Sequence, residues 1–298
     1  MKKTMRLRKL IEDETILVMP GVFDSISALL AEKAGFESII SGGYPTAATR
    51  LGKPDLSLVT LTEMVDHVRN IAEAVDIPVF VDGDTGHGEL LNVRRTIREF
   101  EKAGVAGIFI EDQVFPKRCG HMDGKQVVSA EEMVAKIKVV LDTRIDQDLV
   151  VMARTDARAV KGLDEAIRRA NLYYEAGADM VFVEAPQSVS EMWKITAEVD
   201  APNFANMVEG GKTPQMSCIE LAHIGYDVVA FPLSALLAAA FSISSVFKVL
   251  IETGSTGKFH HKMMQFDDFN QVLHIESFEK FLKDYQAPLI RDDTSLRR

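Results

Sequence analysis

The sequence predicts an α/β fold, a (β/α)8 TIM barrel with C-terminal helices, on three observations. Short apolar runs rich in Val, Ile and Phe recur about eight times, the segments between them carry helical spacing, and no domain-sized shift in composition interrupts the 298 residues. A chain of this length could hold two average domains, yet α/β barrels often use it as one. A doubly wound open sheet is the alternative.

The runs are TILVMPG, SIISGG, PVFVDGD, GIFIEDQ, LVVMARTD, MVFVEAP, NFANMVEGG and DVVAFPLSA. Their near-continuous hydrophobicity marks parallel strands covered on both faces. Helical spacing covers 61–74, 91–103, 130–143, 163–176 and 189–199, and several of the helical segments end at a small residue followed by glycine, as in KAGF and EAGAD. Glycine there takes the left-handed conformation that closes a helix. The segment 228–247 is uncharged over a length that could cross a bilayer, but Pro232 and four serines interrupt it, so it reads as a buried strand followed by a buried helix rather than a membrane span. The chain is expected to be one barrel domain, 1–298, with an amphipathic helical tail over about 255–298 that packs on its own barrel or on a neighbouring subunit.

Composition excludes some functions. Apolar residues make up 47% and charged residues 26%, an ordinary soluble globular balance. A formal charge of -10 argues against nucleic acid as a partner, since that affinity rests on Lys and Arg meeting phosphates. Two cysteines, Cys119 and Cys218, offer no disulfide framework and suit a reducing cytoplasm. The N-terminal MKKTMRLRKLIEDE is basic but runs into acids, unlike a secretory signal.

Function is expected at the strand ends, where polar residues accumulate: Ser41, Gly42 and Gly43, then Asp82 and Asp84, Glu111 and Asp112, Arg154 and Asp156, Glu184, and Asn206 with Glu209. In a barrel these ends converge on the face that carries active sites. Any one of them alone reads better as a cap or loop residue, and Asp156 is expected to be a helix cap. Asp82 and Asp84 with Asp55 and Glu111 would form a dense carboxylate group, stable only beside a cation. Hard oxygen donors favour magnesium or manganese over zinc, with one or two direct ligands and the rest through water. The alternative is carboxylates paired to Arg154 and Lys125. The Ser41-Gly42-Gly43 turn offers N–H groups suited to a carboxylate or oxyanion, or is a bare turn. His87 stands between substrate contact and a loop role.

Cys119 lies in FPKRCGHMDGK, flanked by Lys117, Arg118 and His121. Such cations are expected to stabilise its thiolate, and Gly120 and Gly124 to let the loop move over the mouth. A passive loop cysteine is the alternative. Cys218 reads as a small helix residue.

With these residues in view the sequence resembles the isocitrate lyase and phosphoenolpyruvate mutase superfamily. The motifs SGGY, GKPDLSLVT, VDGDTGHG, IEDQVFPKRCGH, ARTDA, VEAP and NMVEGGKTP span nearly the whole chain, and KRCGH at 117–121 is similar to the gating-loop motif of the lyase branch. The resemblance implies magnesium, with manganese as a substitute, bound through Asp82, with Asp55, Asp84 and Glu111 acting mostly through water. It implies that Ser41, Gly42, Gly43 and Arg154 hold substrate oxygens, with Tyr44, Gly120, His121, Glu184 and Asn206 also in the pocket. Cys119 would be the general acid, with Arg154 and His121 as further catalytic residues. A homotetramer that exchanges the last barrel helix would account for the apolar run at 233–247.

The chemistry implied is cleavage of the C2–C3 bond of a 2-hydroxy dicarboxylate. Met122 follows KRCGH where methylisocitrate lyases carry an arginine, which indicates a smaller substrate, a 2-alkylmalate such as 2,3-dimethylmalate, as in dimethylmalate lyases and petal-death type enzymes. The alternatives are 2-methylisocitrate cleavage, oxaloacetate hydrolysis or decarboxylation, and a non-catalytic metabolite-binding barrel. Oxaloacetate hydrolases tend to carry a serine where Pro232 stands, and phosphonate mutases lack the cysteine motif. Ile39 and His87 depart from aromatic positions of the family, so the residue that removes the hydroxyl proton is unassigned.

Overall fold

A computed structural model of the chain describes residues 1–291. Eight strands form: β1 (Leu17–Pro20), β2 (Ile39–Ser41), β3 (Val79–Asp82), β4 (Gly107–Glu111), β5 (Val150–Thr155), β6 (Met180–Val183), β7 (Phe204–Asn206) and β8 (Val228–Phe231). The helices are α1 (Lys3–Ile11), α2 (Ser25–Lys33), α3 (Gly43–Leu51), α4 (Leu61–Ala74), α5 (Leu90–Lys102), α6 (Ala130–Thr143), α7 (Ala157–Lys161), α8 (Leu163–Glu175), α9 (Val189–Glu198), α10 (Cys218–Ile224), α11 (Ser234–Thr253), α12 (Phe266–Val272) and α13 (Ile275–Arg291).

All ladders are parallel, in a five-stranded sheet β2-β3-β4-β5-β6 and a three-stranded sheet β1-β8-β7. Single parallel bridges, Gly21 with Ile40 and Val181 with Asn203, join the two sheets at both seams. The strands therefore follow one another in a ring, as in a (β/α)8 barrel and unlike an open sheet.

Side-chain alternation explains why the strands are apolar on both faces up to their polar C-terminal ends. Phe80 and Phe109 point into the ring, where they pack with Met19, Ile40, Met152 and Phe182, while Leu7 of α1 packs into the same cluster. Their neighbours Val79, Val81, Ile108 and Ile110 point outward to the helix layer, against Val68, Ile97 and Ile137. Both faces are thus buried, each large side chain contributing about 1.5–3 kcal/mol. Phe80, Phe109, Phe182 and Phe204 form a chain of ring contacts with centroids 6.3, 6.2 and 4.9 Å apart. On α5, Val93, Ile97 and Phe100 make the buried stripe that helical spacing requires. Helix starts follow their capping residues: Thr60 with Glu63 opens α4 and Ser217 with Glu220 opens α10, each a reciprocal capping box.

Contacts divide the chain into two compact units, Met1–Ala239 and a second that begins at Ala240. The first holds the ring. The second contains the rest of α11, a 3-10 turn at Gly257–Lys262, α12 and α13, with Phe259 and Val272 buried. The tail expected over about 255–298 falls within it, and residues 292–298 lie outside the described residues.

The expected buried helix after β8 is a correction. β8 is buried, but α11 has no buried residue among those described. This 20-residue helix holds an 18-residue window of mean hydropathy 1.9, enough, by length and composition alone, to cross a membrane. Lack of charge marked it for burial, but the described chain leaves side chains such as Phe241, Phe247 and Ile251 exposed.

Candidate active site

The strand ends converge as expected, around a small cavity of about 70 Å³. Gly42, Gly43, Tyr44, Asp55 and Asp82 line one side, and Cys119, Gly120, His121, Arg154, Glu184 and Asn206 line the other. The remaining wall is apolar: Ile40, Phe109, Phe182, Phe204, Val208, Pro232 and Leu233. Ser41, Asp84 and Glu111 are buried but stand off this wall, and so does Met122. Met122 lines a separate cavity with Asp123, Gly124, Lys125 and Lys212.

The acidic side is built by close backbone approach. The Gly43 N–H donates to Asp82 Oδ2 at 2.9 Å and the Asp84 N–H to Asp82 Oδ1 at 2.8 Å. A side chain at Gly43 would put a Cβ 3.0 Å from Asp82 Oδ2 and 3.1 Å from Lys117 Nζ, which is why glycine follows β2 here. The N–H that was expected to meet an anionic substrate is thus already used by Asp82. Asp84 adopts a positive φ of 50° and His87 one of 58°, a backbone conformation that functional turns hold against its cost.

The cation among these acids is Lys117. Its Nζ lies 2.8 Å from Asp55 Oδ2 and 2.8 Å from Asp84 Oδ1. The alternative to a metal paired these carboxylates with Arg154 and Lys125; Arg154 does approach Glu111, but Lys125 turns elsewhere. Burial pushes Asp82 up to about 6, with Asp84 and Asp55 adding to the rise and Lys117 opposing it. Asp84 is buried too, yet Lys117 and His87 bring it below its usual range. Burial lifts Glu111 well above the usual carboxylate range, chiefly against Arg154, and neither of its oxygens has a hydrogen-bond partner. Among the described residues no three His, Cys, Asp or Glu side chains are grouped to hold a metal ion. The donor chemistry nonetheless fits a hard divalent cation: all four acids offer oxygen, and the buried Glu111 carboxylate faces Arg154 but has no hydrogen-bond partner. Burial lowers His87, which has an unpartnered buried Nε2.

Arg154 is fixed by three carboxylates. Asp156 takes it bidentately, Oδ2 to Nε at 2.9 Å and Oδ1 to Nη2 at 3.1 Å. Glu184 Oε2 is 3.1 Å from Nη2, Glu111 Oε2 is 3.3 Å from Nε, and the guanidinium carbon stands 5.1 Å from the Phe182 ring centre. Asp156 is therefore an anchor and not the expected cap: it precedes α7 but its side chain accepts no capping bond. Its own N–H is held by Asp112 Oδ1 at 2.9 Å, while Asp112 Oδ2 accepts from Thr155 Oγ1, Arg169 Nη1 and Tyr173 OH at 2.7–2.9 Å. This support network was missed in the sequence, where Asp112 stood out only as one more acid after a strand.

The Cys119 loop leaves β4 and returns through an antiparallel bridge between Gln113 and Val127. The Gln113 amide brackets Arg118, donating to its carbonyl at 2.8 Å and accepting its N–H at 3.0 Å. Gly120 packs so tightly that a Cβ there would come within 2.5 Å of Glu184 side-chain carbons, so the loop lies down on the pocket. His121 Nδ1 accepts the Lys212 N–H at 3.0 Å, which places its proton on Nε2, 3.3 Å from Glu184 Oε1. Burial pushes Glu184 up, but Arg154 and His121 outweigh it and hold the carboxylate well below its usual range. Asn206 Nδ2 donates to Glu184 at 3.4 Å.

Cys119 itself is half-buried. Burial pushes its thiol up and Glu184 adds to the rise, against a backbone bond from His121 and the charge of Arg154. The expected thiolate-stabilising cluster is a correction, because Lys117 turns to Asp55 and Asp84 and Arg118 lies near Gly124. A thiol that keeps its proton suits a donor. Cys218 opens α10 as a helix residue.

Residues 7–250 match the family model described as phosphoenolpyruvate phosphomutase. The chain belongs to the phosphoenolpyruvate mutase/isocitrate lyase superfamily. Within this superfamily it is 41% identical to 2,3-dimethylmalate lyase of Eubacterium barkeri over 285 residues, 96% of this chain and 99% of that one. It is 42% identical to 2-methylisocitrate lyase of Aeropyrum pernix, covering 92% and 88% of the two chains. Among solved structures, oxaloacetate acetylhydrolase with 3,3-difluorooxalacetate superposes with a TM-score of 0.91 at 31% identity, covering 96% and 97%. 2,3-dimethylmalate lyase superposes with 0.90 at 34%, covering 96% of each chain. Phosphonopyruvate hydrolase complexed with oxalate and Mg++ superposes with 0.85 at 27%, covering 94% and 98%. These superfamily relatives are enzymes, and the named sequence relatives are lyases.

Proposed function

We propose that this chain is a magnesium-dependent carbon–carbon lyase that cleaves a 2-alkylmalate, with 2,3-dimethylmalate split to pyruvate and propionate as the leading reaction. The observation that carries this reading is the Cys119 thiol, kept protonated by burial, on a loop that shares one pocket with the Arg154 guanidinium and the His121 N–H. Likeness to 2,3-dimethylmalate lyase over nearly the full length supports it.

Removal of the C2 hydroxyl proton sends electrons into C2=O as the C2–C3 bond breaks. The C2 fragment leaves as pyruvate, and the electron pair passes to C3 and its carboxylate. The Cys119 thiol gives its proton to C3, which yields propionate and leaves a thiolate; the proton released by the hydroxyl balances the cycle. Arg154 and the His121 Nε2–H orient substrate carboxylate oxygens. Asp82, with Asp55, Asp84 and Glu111, would hold magnesium or manganese, whose charge offsets that developing on oxygen. Lys117 would then release part of its hold on these acids. The magnesium-bound phosphonopyruvate hydrolase structure supports the assignment.

The apolar wall favours methyl substituents over a third carboxylate, which supports 2,3-dimethylmalate over 2-methylisocitrate. Oxaloacetate hydrolysis is the second reading, favoured by the likeness to oxaloacetate acetylhydrolase. Pro232 and Leu233 on the wall speak for the lyase. Pyruvate formation is measured with alkylmalates, methylisocitrate and oxaloacetate, with and without EDTA. Absence of pyruvate from every hydroxy acid removes the lyase reading, and oxalate from oxaloacetate establishes the hydrolase.

The exposed apolar α11 supports a homotetramer in which this helix is exchanged between subunits, and light scattering checks it. Two unpaired cysteines support a cytoplasmic location.

A further inference from the structure

We infer that Lys125 is the latch of the Cys119 loop and Asp156 its keeper, so that seating the loop and aligning Arg154 are a single event. The inference rests on the lyase reading only in its kinetic arm. Lys125 is not on the pocket wall, so its role is positioning. Its side chain is 1% exposed and its Nζ makes two contacts: Asp156 Oδ1 at 2.7 Å, and the Gly120 carbonyl in the loop.

An ammonium removed from water stays where its partners are, and these partners come from different parts of the fold. Asp156 follows β5; Gly120 is next to the proton donor. Asp156 Oδ1 also accepts from Arg154 Nη2 at 3.1 Å, so one oxygen serves the latch and the substrate-binding guanidinium together. Gly120 in turn lies against Arg154 and Glu184 with no room for a Cβ. If the corner at Gly120 lifts, Lys125 loses its carbonyl partner and is left to Asp156 alone, and Arg154 loses the backbone packed against it. Lys117 anchors the start of the loop, and Lys125 acts at the corner that carries Cys119.

Iodoacetamide labelling of Cys119 in the substrate-free assembled protein, read by mass spectrometry of its own peptide to separate it from Cys218, tests this. Lys125→Met keeps the stem and removes the charge; it is expected to label about tenfold faster, as a local opening would. Removing a nearby cation can only reduce the thiolate fraction, so faster labelling reports access. Asp156→Asn should also accelerate labelling, and the double variant should be no faster than the faster single. Lys125→Arg should restore much of the wild-type rate. In the kinetic arm, Lys125→Met should lower kcat more than it raises KM.

Labelling of Lys125→Met at the wild-type rate overturns the latch, and so do accelerations that multiply in the double variant. Should Lys125→Met fail to fold, Lys125→Gln and Asp156→Asn carry the same comparison, and unchanged labelling in both overturns it. A wild-type protein that yields no pyruvate would sink the substrate reading while the labelling result still decides the latch.

Discussion

The Lys117 ammonium lies 2.8 Å from the Asp84 carboxylate inside the acidic side of the pocket, and its other contact is Asp55. Lys117→Met leaves buried carboxylates uncompensated and is expected to destabilise the protein in EDTA by about 3–5 kcal/mol. Magnesium should recover part of that, about 3 kcal/mol at a hundredfold excess over its dissociation constant. Thermal melts of the variant with and without magnesium measure both. A melting temperature indifferent to magnesium would argue that the acids do not take the ion.

Cys119→Ser should fold normally and lose about 10²–10⁴ in kcat, the usual worth of a placed general acid. Pyruvate release measures it. Retention of most of the wild-type rate would remove the thiol from the reaction.

The thiol's pH dependence has a definite sign. Burial disfavours the thiolate, so Cys119 keeps its proton through neutral pH and the alkaline limb of kcat/KM should lie above about 8.5, the value of an ordinary thiol. The unfolded chain loses this proton first as pH rises, so the group's stabilising contribution is complete below that value and fades above it. Alkylation rates of Cys119 against pH give the midpoint directly, and one near 6 or 7 would contradict the structure.

Gly120→Ala adds a Cβ that must push Glu184 or lift the loop. The expected result is a loss of about tenfold or more in kcat with melting changed little, because the loop can rise without unmaking the barrel. Parallel kinetics and calorimetry separate the two.

Asp112→Ala removes the carboxylate shared by Tyr173 OH and Arg169, whose side chain is 1% exposed, and leaves Arg169 only Glu165 as an ion-pair partner. A loss of about 3–5 kcal/mol follows from breaking a buried pair, read as a lower urea midpoint. A smaller loss in Asp112→Asn would separate hydrogen bonding from charge.

The strands and most pocket residues were legible because both follow local rules. Buried parallel strands are continuous apolar runs, and Asp82, Glu111, Arg154, Glu184 and Asn206 stand at or just after their ends. Long-range pairing was not legible. Nothing in KRCGH says that Lys117 turns to Asp55 and Asp84 while its neighbour Cys119 stays protonated. Asp156 looked like a cap because it precedes a helix, and only folded geometry brings Lys125 and Arg154 to it. For α11, hydropathy reported the need for cover without naming its source.

The ring is held by full ladders except at β1–β2 and β6–β7, where single bridges suffice. Those seams divide it into two panels with different duties. The panel β2 to β6 carries Asp82, Glu111 and Arg154, with Glu184 at its edge, as one continuously hydrogen-bonded plate of charge. The panel β7-β8-β1 ends in Asn206, Pro232 and Leu233, a largely apolar stretch of the cavity wall. The apolar wall spans both panels, with Ile40, Phe109 and Phe182 on the first and Phe204, Pro232 and Leu233 on the second, so altering Pro232 or Leu233 should reshape the cavity from the side that carries no charge while the charged plate keeps its alignment.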